Sequence, residues 1–95
     1  MEAYDTHVLN QEVRAMQEAI NAGHGWDMEG SVGRAMMDWI EQGYCILGPK
    51  AYNRFYGLGT IGSRYDVVPG TKGSIGYARK MQPEFWEGRD EDWAD

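Results

Sequence analysis

Apolar residues recur at helical spacing near the start of the chain. Members of this face stand at i, i+4, i+7 and i+11, which is the period of one helical side. They are Leu9, Val13, Met16 and Ile20. Asp5 or Thr6 can cap the start and Gly23 can end the run. The pattern therefore predicts an amphipathic helix over residues 6–22.

A second apolar stripe follows and predicts a helix over residues 28–42, with Asp27 as its N-cap and Gly43 as its terminal glycine. The stripe consists of Met28, Val32, Ala35, Met36, Trp39 and Ile40. Gly30 and Gly33 are unusual inside it, because each costs about 1 kcal/mol relative to alanine in a helix. They indicate either the close approach of a backbone or ligand, or a first turn that is not helical.

The pattern becomes irregular after Gly43. Residues 44–47 form a short apolar run that is either a strand or simply buried. Pro49 suits the first position of a short helix that would carry Tyr52 and end at Gly57.

Three glycines predict a loop over residues 57–63, and the alternation in residues 64–68 predicts a brief strand. Residues 68–71, Val-Pro-Gly-Thr, suit a type II turn, with Pro at its second position and Gly at its third. Ser74 can cap a last helix that runs to Met81. The fold class is thus mainly α (α+β): two amphipathic helices, a glycine-rich irregular centre with one or two short strands, and a short C-terminal helix.

The length of 95 residues allows a single small domain. Aliphatic residues are few, but 6 Met, 6 Tyr and 4 Trp supply large side chains for a core. We predict a domain over residues 1–83 and an acidic, aromatic-containing tail over residues 84–95. Phe85, Trp86 and Trp93 would hold that tail on the domain or on a neighbouring subunit. Homo-oligomerisation is expected because it is a common remedy for a small core.

Several classes of function and location are disfavoured. No apolar run is long enough to span a membrane and no secretion signal is evident, so a cytoplasmic protein is expected. Cys45, the single cysteine, excludes an intramolecular disulfide and a multi-cysteine metal site. His7 and His24 lack the spacing of metal ligands, and no catalytic triad is evident. We expect no enzyme activity, no metal and no cofactor.

The net charge of -6 is unevenly distributed. Residues 1–43 carry a net charge of -6, residues 44–80 carry +5, and residues 81–95 carry -5. The basic middle either packs against the acidic flanks and neutralises them, or binds an anion.

A phosphate-binding site is the functional interpretation of this basic middle. Arginine and lysine pair with phosphates and aromatic rings stack on bases, although the same rings also serve as packing in a small core. The candidate ligand-binding residues are Lys50, Tyr52, Arg54, Tyr56, Arg64, Tyr65, Thr71, Lys72, Ser74, Tyr77 and Arg79. Residues 70–74 would donate backbone N–H groups at a helix start, or form an ordinary turn with a serine cap. The Gly-x-Gly-x-x-Gly string at residues 57–62 lacks the strand–helix context of a dinucleotide site.

Residues 26–36, 47–50, 68–74 and 77–81 resemble small uncharacterised bacteriophage and prophage proteins. The resemblance covers roughly residues 26–81. It implies an accessory or counter-defence role in the host cytoplasm, and it implies no particular site residues.

Two functions follow as hypotheses. In the first, a non-enzymatic phage-type protein sequesters a small phosphate-bearing ligand such as a nucleotide immune signal. In the alternative, acidic helix faces and the tail occlude a host defence nucleoprotein, as some anti-CRISPR proteins do. The acidic flanks argue against binding of long duplex DNA, which needs a continuous positive track.

Overall fold

The computed structural model describes residues 6–23, 30–53 and 60–95. In chain order the elements are α1 (Thr6–Ala22), α2 (Gly30–Glu41), β1 (Tyr52–Asn53), β2 (Thr60–Ile61), α3 (Ile75–Met81), α4 (Pro83–Trp86) and α5 (Glu91–Ala94). The prediction of a mainly helical chain is confirmed.

Helix α1 buries the face that its apolar spacing predicts. Val13 and Ile20 are fully buried, and Leu9 and Met16 pack against the same core. Gly23 follows the helix with φ +78°, a conformation that glycine adopts without a steric penalty. Its N–H donates to the carbonyl oxygens of the preceding turn, and the helix therefore ends where predicted.

Helix α2 contributes Met36 and Ile40 to the core. Gly43 follows it with φ +87°, and a Cβ at this position would lie 2.4 Å from the Cβ of Met81. Glycine is therefore required here both by the backbone conformation and by the close approach of α3. Gly30 is the first residue of α2, and residues 28–29 lie outside the described part of the chain.

The apolar run after α2 is buried without being a strand. Cys45, Ile46 and Leu47 are at most 8% exposed. The side-chain amide of Gln17 accepts a hydrogen bond from Ile46 N–H and donates one to Ile46 O, each at 2.9 Å. Leu47 N–H donates to Gly73 O at 3.0 Å. These bonds satisfy buried backbone groups that a regular ladder would otherwise pair.

The predicted strand over residues 64–68 is wrong. Residues 64–66 form a turn, because Asp66 N–H donates to Ser63 O at 3.0 Å and the Asp66 carboxylate accepts from Ser63 N–H at 2.9 Å. The strands of the described residues are instead β1 and β2, an antiparallel pair in which Tyr52 lies opposite Ile61.

The short helix predicted from Pro49 is also wrong at Tyr52–Asn53, which belong to β1. The rest of that prediction, residues 54–57, lies outside the described residues. Further along, Thr71 N–H donates to Val68 O at 3.0 Å and Gly70 has φ +90°, as a type II turn requires.

Residues 84–95, predicted as a tail, pack onto the domain and contribute three side chains to its core. Phe85, Trp86 and Ala94 are buried, and Phe85 meets both Trp86 and Trp93 edge to face at about 5.5 Å between ring centroids. Trp86 Nε1–H donates to Gly43 O at 2.7 Å. The aromatic side chains therefore hold this segment on the domain, which is one of the two positions expected for them.

Candidate functional site

Arg64, a predicted phosphate ligand, is a buried structural cation. Its side chain is 0% exposed. Nε donates to Leu47 O at 2.8 Å, Nη1 to Asp95 Oδ1 at 2.6 Å, and Nη2 to Asn21 Oδ1 at 3.3 Å. The guanidinium is thus inaccessible to a ligand, and its assignment to the phosphate site is corrected for that reason.

The turn over residues 70–74 uses its own polar groups. Ser74 Oγ accepts from the N–H groups of Gly70 and Tyr77, at 3.0 and 3.2 Å, and donates to Thr71 O at 2.7 Å. The Thr71 hydroxyl donates to Val68 O. This is the turn with a serine cap that was the alternative to an anion-binding loop.

Two of the candidate tyrosines are held by backbone carbonyls. Tyr52 Oη donates to Asn21 O at 2.6 Å, and Tyr77 Oη donates to Glu41 O at 2.7 Å. Tyr65 differs, because it is 62% exposed, with the Arg64 guanidinium 5.9 Å from its ring centroid. Tyr52 and Tyr77 therefore join elements of the fold.

The remaining candidates divide into three groups. Lys72 Nζ lies 3.0 Å from Glu41 Oε2, and the hydrogen bond and negative charge of Glu41 raise the pKa of this lysine. Lys50 and Arg79 are exposed. Arg54 and Tyr56 lie outside the described residues.

Ion pairs link the basic middle of the chain to its acidic flanks. Arg64 pairs with Asp95, and Lys72 pairs with Glu41. Both pairs follow the alternative in which the middle packs against the flanks and neutralises them. Two of the predicted phosphate ligands therefore already have an intramolecular anion.

A concave surface lies elsewhere, between α3 and the segment that follows it. One cavity of about 710 Å³ is lined by Arg79, Pro83, Glu84, Trp86, Glu87, Gly88, Arg89 and Asp90. An adjoining cavity of about 310 Å³ is lined by Ile75, Arg79, Asp90, Glu91 and Asp92. Because Arg79 and Asp90 line both, we treat them as one surface and call it the acidic groove.

Five carboxylates and two guanidiniums line the acidic groove, which leaves it a net charge of -3. The carboxylates belong to Glu84, Glu87, Asp90, Glu91 and Asp92. Within the described ranges none of them forms an ion pair. Asp90 caps α5 by accepting from Asp92 N–H at 3.0 Å. The negative charge of the groove is therefore largely available to a partner.

The two arginines of the acidic groove bind backbone carbonyls. The Arg89 guanidinium lies 4.3 Å from the ring centroid of Phe85 and 5.2 Å from that of Trp93, and it donates to Phe85 O. Arg79 Nη2 donates to Arg89 O at 2.7 Å. Arg89 is thus fixed on the aromatic cluster, whereas Arg79 reaches across the groove from α3.

Sequence reasoning did not assemble this groove. The feature of the sequence that could have indicated the groove is the combination of acidic and aromatic residues in residues 84–95. In the structure the aromatic rings pack inward and the acidic side chains remain outside. This combination predicts that the segment attaches to the domain, but it does not predict which part of α3 the segment faces.

Nucleophilic and metal chemistry have little support in the described residues. Cys45 is buried, its thiol lies 3.8 Å from Val13 O, and burial raises its pKa to about 12. The thiol is therefore protonated at neutral pH and is a poor nucleophile. Among the described residues, no group of three or more His, Cys, Asp or Glu side chains is placed to hold a metal ion. Over the same residues, no helix combines the length and apolar character that crossing a membrane requires.

Comparisons of this chain with protein-family models, with curated proteins and with solved structures gave no match. The resemblance of residues 26–81 to bacteriophage proteins stays a prediction. A functional proposal therefore depends on the chemistry of the acidic groove.

Proposed function

We propose that this protein is a non-enzymatic binding protein that docks a basic segment of a partner protein in the acidic groove. One observation carries the proposal: the five carboxylates around the cavity of about 710 Å³ and its neighbour lack ion pairs within the described part of the chain. Arginine and lysine side chains of a partner would supply the missing cations.

The charge of the groove selects the class of partner. A net charge of -3 at the groove repels the phosphates of nucleic acid and attracts positive protein surfaces. Each exposed ion pair contributes only about 0–1 kcal/mol, so several pairs and long-range attraction are needed for useful affinity. The partner we propose is thus a protein with a cluster of arginines or lysines.

A basic surface of that kind is typical of proteins that bind nucleic acid. Occupation of such a surface by the acidic groove would exclude nucleic acid from it. We therefore favour the second hypothesis, occlusion of a defence nucleoprotein. The counter-defence role implied by the bacteriophage resemblance is part of this proposal.

Sequestration of a phosphate-bearing ligand stays a prediction with less support. Arg64 is buried, Ser74 caps a helix, and the hydroxyls of Tyr52 and Tyr77 are bonded to backbone. Among the candidate residues of the phosphate site, Lys50 and Tyr65 are exposed and their side chains are not held by bonds of this kind. Homo-oligomerisation also stays a prediction.

A double variant that removes two negative charges from the groove tests the proposal. Glu84→Gln with Glu87→Gln removes two charges from the groove. Asp38→Asn with Asp66→Asn is the matched control, because it removes two exposed charges outside the groove that form no ion pair with a described residue. The probe is a fluorescein-labelled nonaarginine peptide, titrated by anisotropy at low salt.

We expect the groove variant to bind about threefold to tenfold more weakly than the control, because two surface ion pairs are lost. Equal affinities of the two variants, or no binding by any form, would reject the groove as the docking site. A parallel thermal-shift series with mono-, di- and cyclic nucleotides addresses sequestration. Stabilisation by a nucleotide without binding of the peptide would favour that hypothesis instead.

A further inference from the structure

The geometry points to Arg79 as a built-in competitor that occupies the acidic groove in place of a partner's arginine and lowers the affinity for basic segments. This inference rests on the proposed function and names a regulatory residue of the same site.

Arg79 has the position that such a competitor needs. Its side chain lines both cavities of the groove, as Asp90 does. It comes from α3, whereas the carboxylates come from residues 84–92, in the segment that follows α3. Its guanidinium donates to Arg89 O and so occupies an acceptor at the groove that an incoming guanidinium would use.

The contact that holds Arg79 is weak enough to be replaced. Its one hydrogen bond to a described residue goes from Nη2 to the neutral carbonyl oxygen of Arg89, at 2.7 Å. It forms no ion pair with a described carboxylate, and Arg79 is exposed. A single hydrogen bond in contact with water adds little net stability, so the side chain can leave at small cost.

Arg89 differs from Arg79 in this respect. Its guanidinium lies over Phe85 and Trp93 and donates to Phe85 O, so it is held by several contacts at once. Arg89 therefore stays in place and presents its carbonyl oxygen. When Arg79 moves away, that oxygen becomes an acceptor for a partner's arginine, beside the carboxylate of Asp90.

Displacement would change both charge and hydrogen bonding in the groove. Without the Arg79 cation the groove would hold five carboxylates and one guanidinium, which is a net charge of -4. A planar guanidinium from the partner can contact the Arg89 carbonyl and a carboxylate together, whereas a lysine ammonium lacks that fork. The occupant is thus an arginine-bearing basic segment.

Arg79→Ala tests the inference, with Lys80→Ala as the matched control. Lys80 is the next residue of α3, is exposed and does not line either cavity, so both variants remove one positive charge from adjacent positions. Nonaarginine binding is measured by anisotropy as above, and thermal unfolding of each variant confirms that it is folded.

We expect Arg79→Ala to bind the peptide about threefold to tenfold more tightly than the unaltered protein, and Lys80→Ala less than twofold more tightly. Equal gains in the two variants would mean a general charge effect and would overturn the inference. Weaker binding by Arg79→Ala would show that Arg79 assists the partner, and would overturn it as well.

The two proposals fail in different ways. If Glu84→Gln with Glu87→Gln binds as its control does, the groove is not the docking site and the proposed function fails. If that variant loses affinity while Arg79→Ala gains none, the groove binds the peptide and only the competitor role is rejected.

Discussion

The guanidinium of Arg64 is fully buried, yet its nearest anion, Asp95 Oδ1 at 2.6 Å, belongs to a side chain that is 52% exposed. A buried cation loses its hydration, so it needs partners on several sides. Arg64 obtains them from Leu47 O and Asn21 Oδ1 in addition to Asp95. The three acceptors come from three distant parts of the chain, and Arg64 therefore fixes them relative to one another.

Replacement of Arg64 by alanine should lower the free energy of unfolding by about 3 kcal/mol, because Leu47 O and Asn21 lose a buried donor and a cavity remains. Urea denaturation followed by tryptophan fluorescence gives the value. Lys50→Ala removes an exposed lysine and should change stability by about 0.5 kcal/mol at most. Similar values for the two variants would contradict a structural role for Arg64.

Gln17→Leu keeps most of the side-chain volume but removes both bonds to Ile46. The N–H and carbonyl groups of Ile46 would then be buried without partners, and we expect a loss of about 2–4 kcal/mol in the free energy of unfolding. Gln11→Leu, at an exposed position of the same helix, serves as control and should change little. Faster hydrogen exchange at the Ile46 amide should accompany the loss, and unaltered protection there would count against this explanation.

Alanine substitutions at two glycines with positive φ distinguish the free-energy cost of backbone strain from that of steric overlap. At Gly73 (φ +96°) a Cβ would lie 2.5 Å from Leu47 Cδ1, whereas at Gly88 (φ +78°) nothing lies within 4 Å. Gly88→Ala should cost about 1 kcal/mol from conformation alone. Gly73→Ala should lower the free energy of unfolding by about 1–3 kcal/mol more than Gly88→Ala does, because the packed side chain of Leu47 must move. Melting temperatures of both variants measure the difference, which should vanish if Leu47 can move freely.

The thiol of Cys45 should be unreactive in the folded protein, because burial raises its pKa from 9.0 to about 12. Ellman's reagent at pH 8 should modify it only after a denaturant is added. The unfolded state loses this proton near pH 9, and the folded state retains it. Stability should therefore fall as pH rises between about 9 and 12. Cys45→Ala should lack this component, and rapid modification of the native protein would contradict the burial.

Local sequence signals located the longer helices well. The apolar spacing in α1 and the serine cap of α3 act over a few residues, and both elements lie where these signals place them. The prediction of a strand over residues 64–68 was wrong because two hydrogen bonds between Asp66 and Ser63 form a turn there, in spite of the alternating pattern. Strand pairing joins Tyr52 to Ile61, which lies nine positions further along the chain, and no local period encodes such a contact.

The candidate site was harder to predict than the helices. Whether an arginine is free to bind a ligand depends on acceptors supplied from far along the chain. Arg64 finds Asp95 31 residues away, whereas Arg79 meets a carbonyl only 10 residues away at the surface. Both residues carry the same charge in the sequence, and only the fold distinguishes the structural cation from the exposed one.

The packing of the last described residues against α1 has a consequence for synthesis. Arg14 donates to the carbonyl oxygen of Trp93, and Asn21 donates to that of Ala94. During translation these acceptors leave the ribosome after every other described element. The nascent chain can form α1 early, but the core of the described residues is complete only when residues 84–95 have emerged from the ribosome.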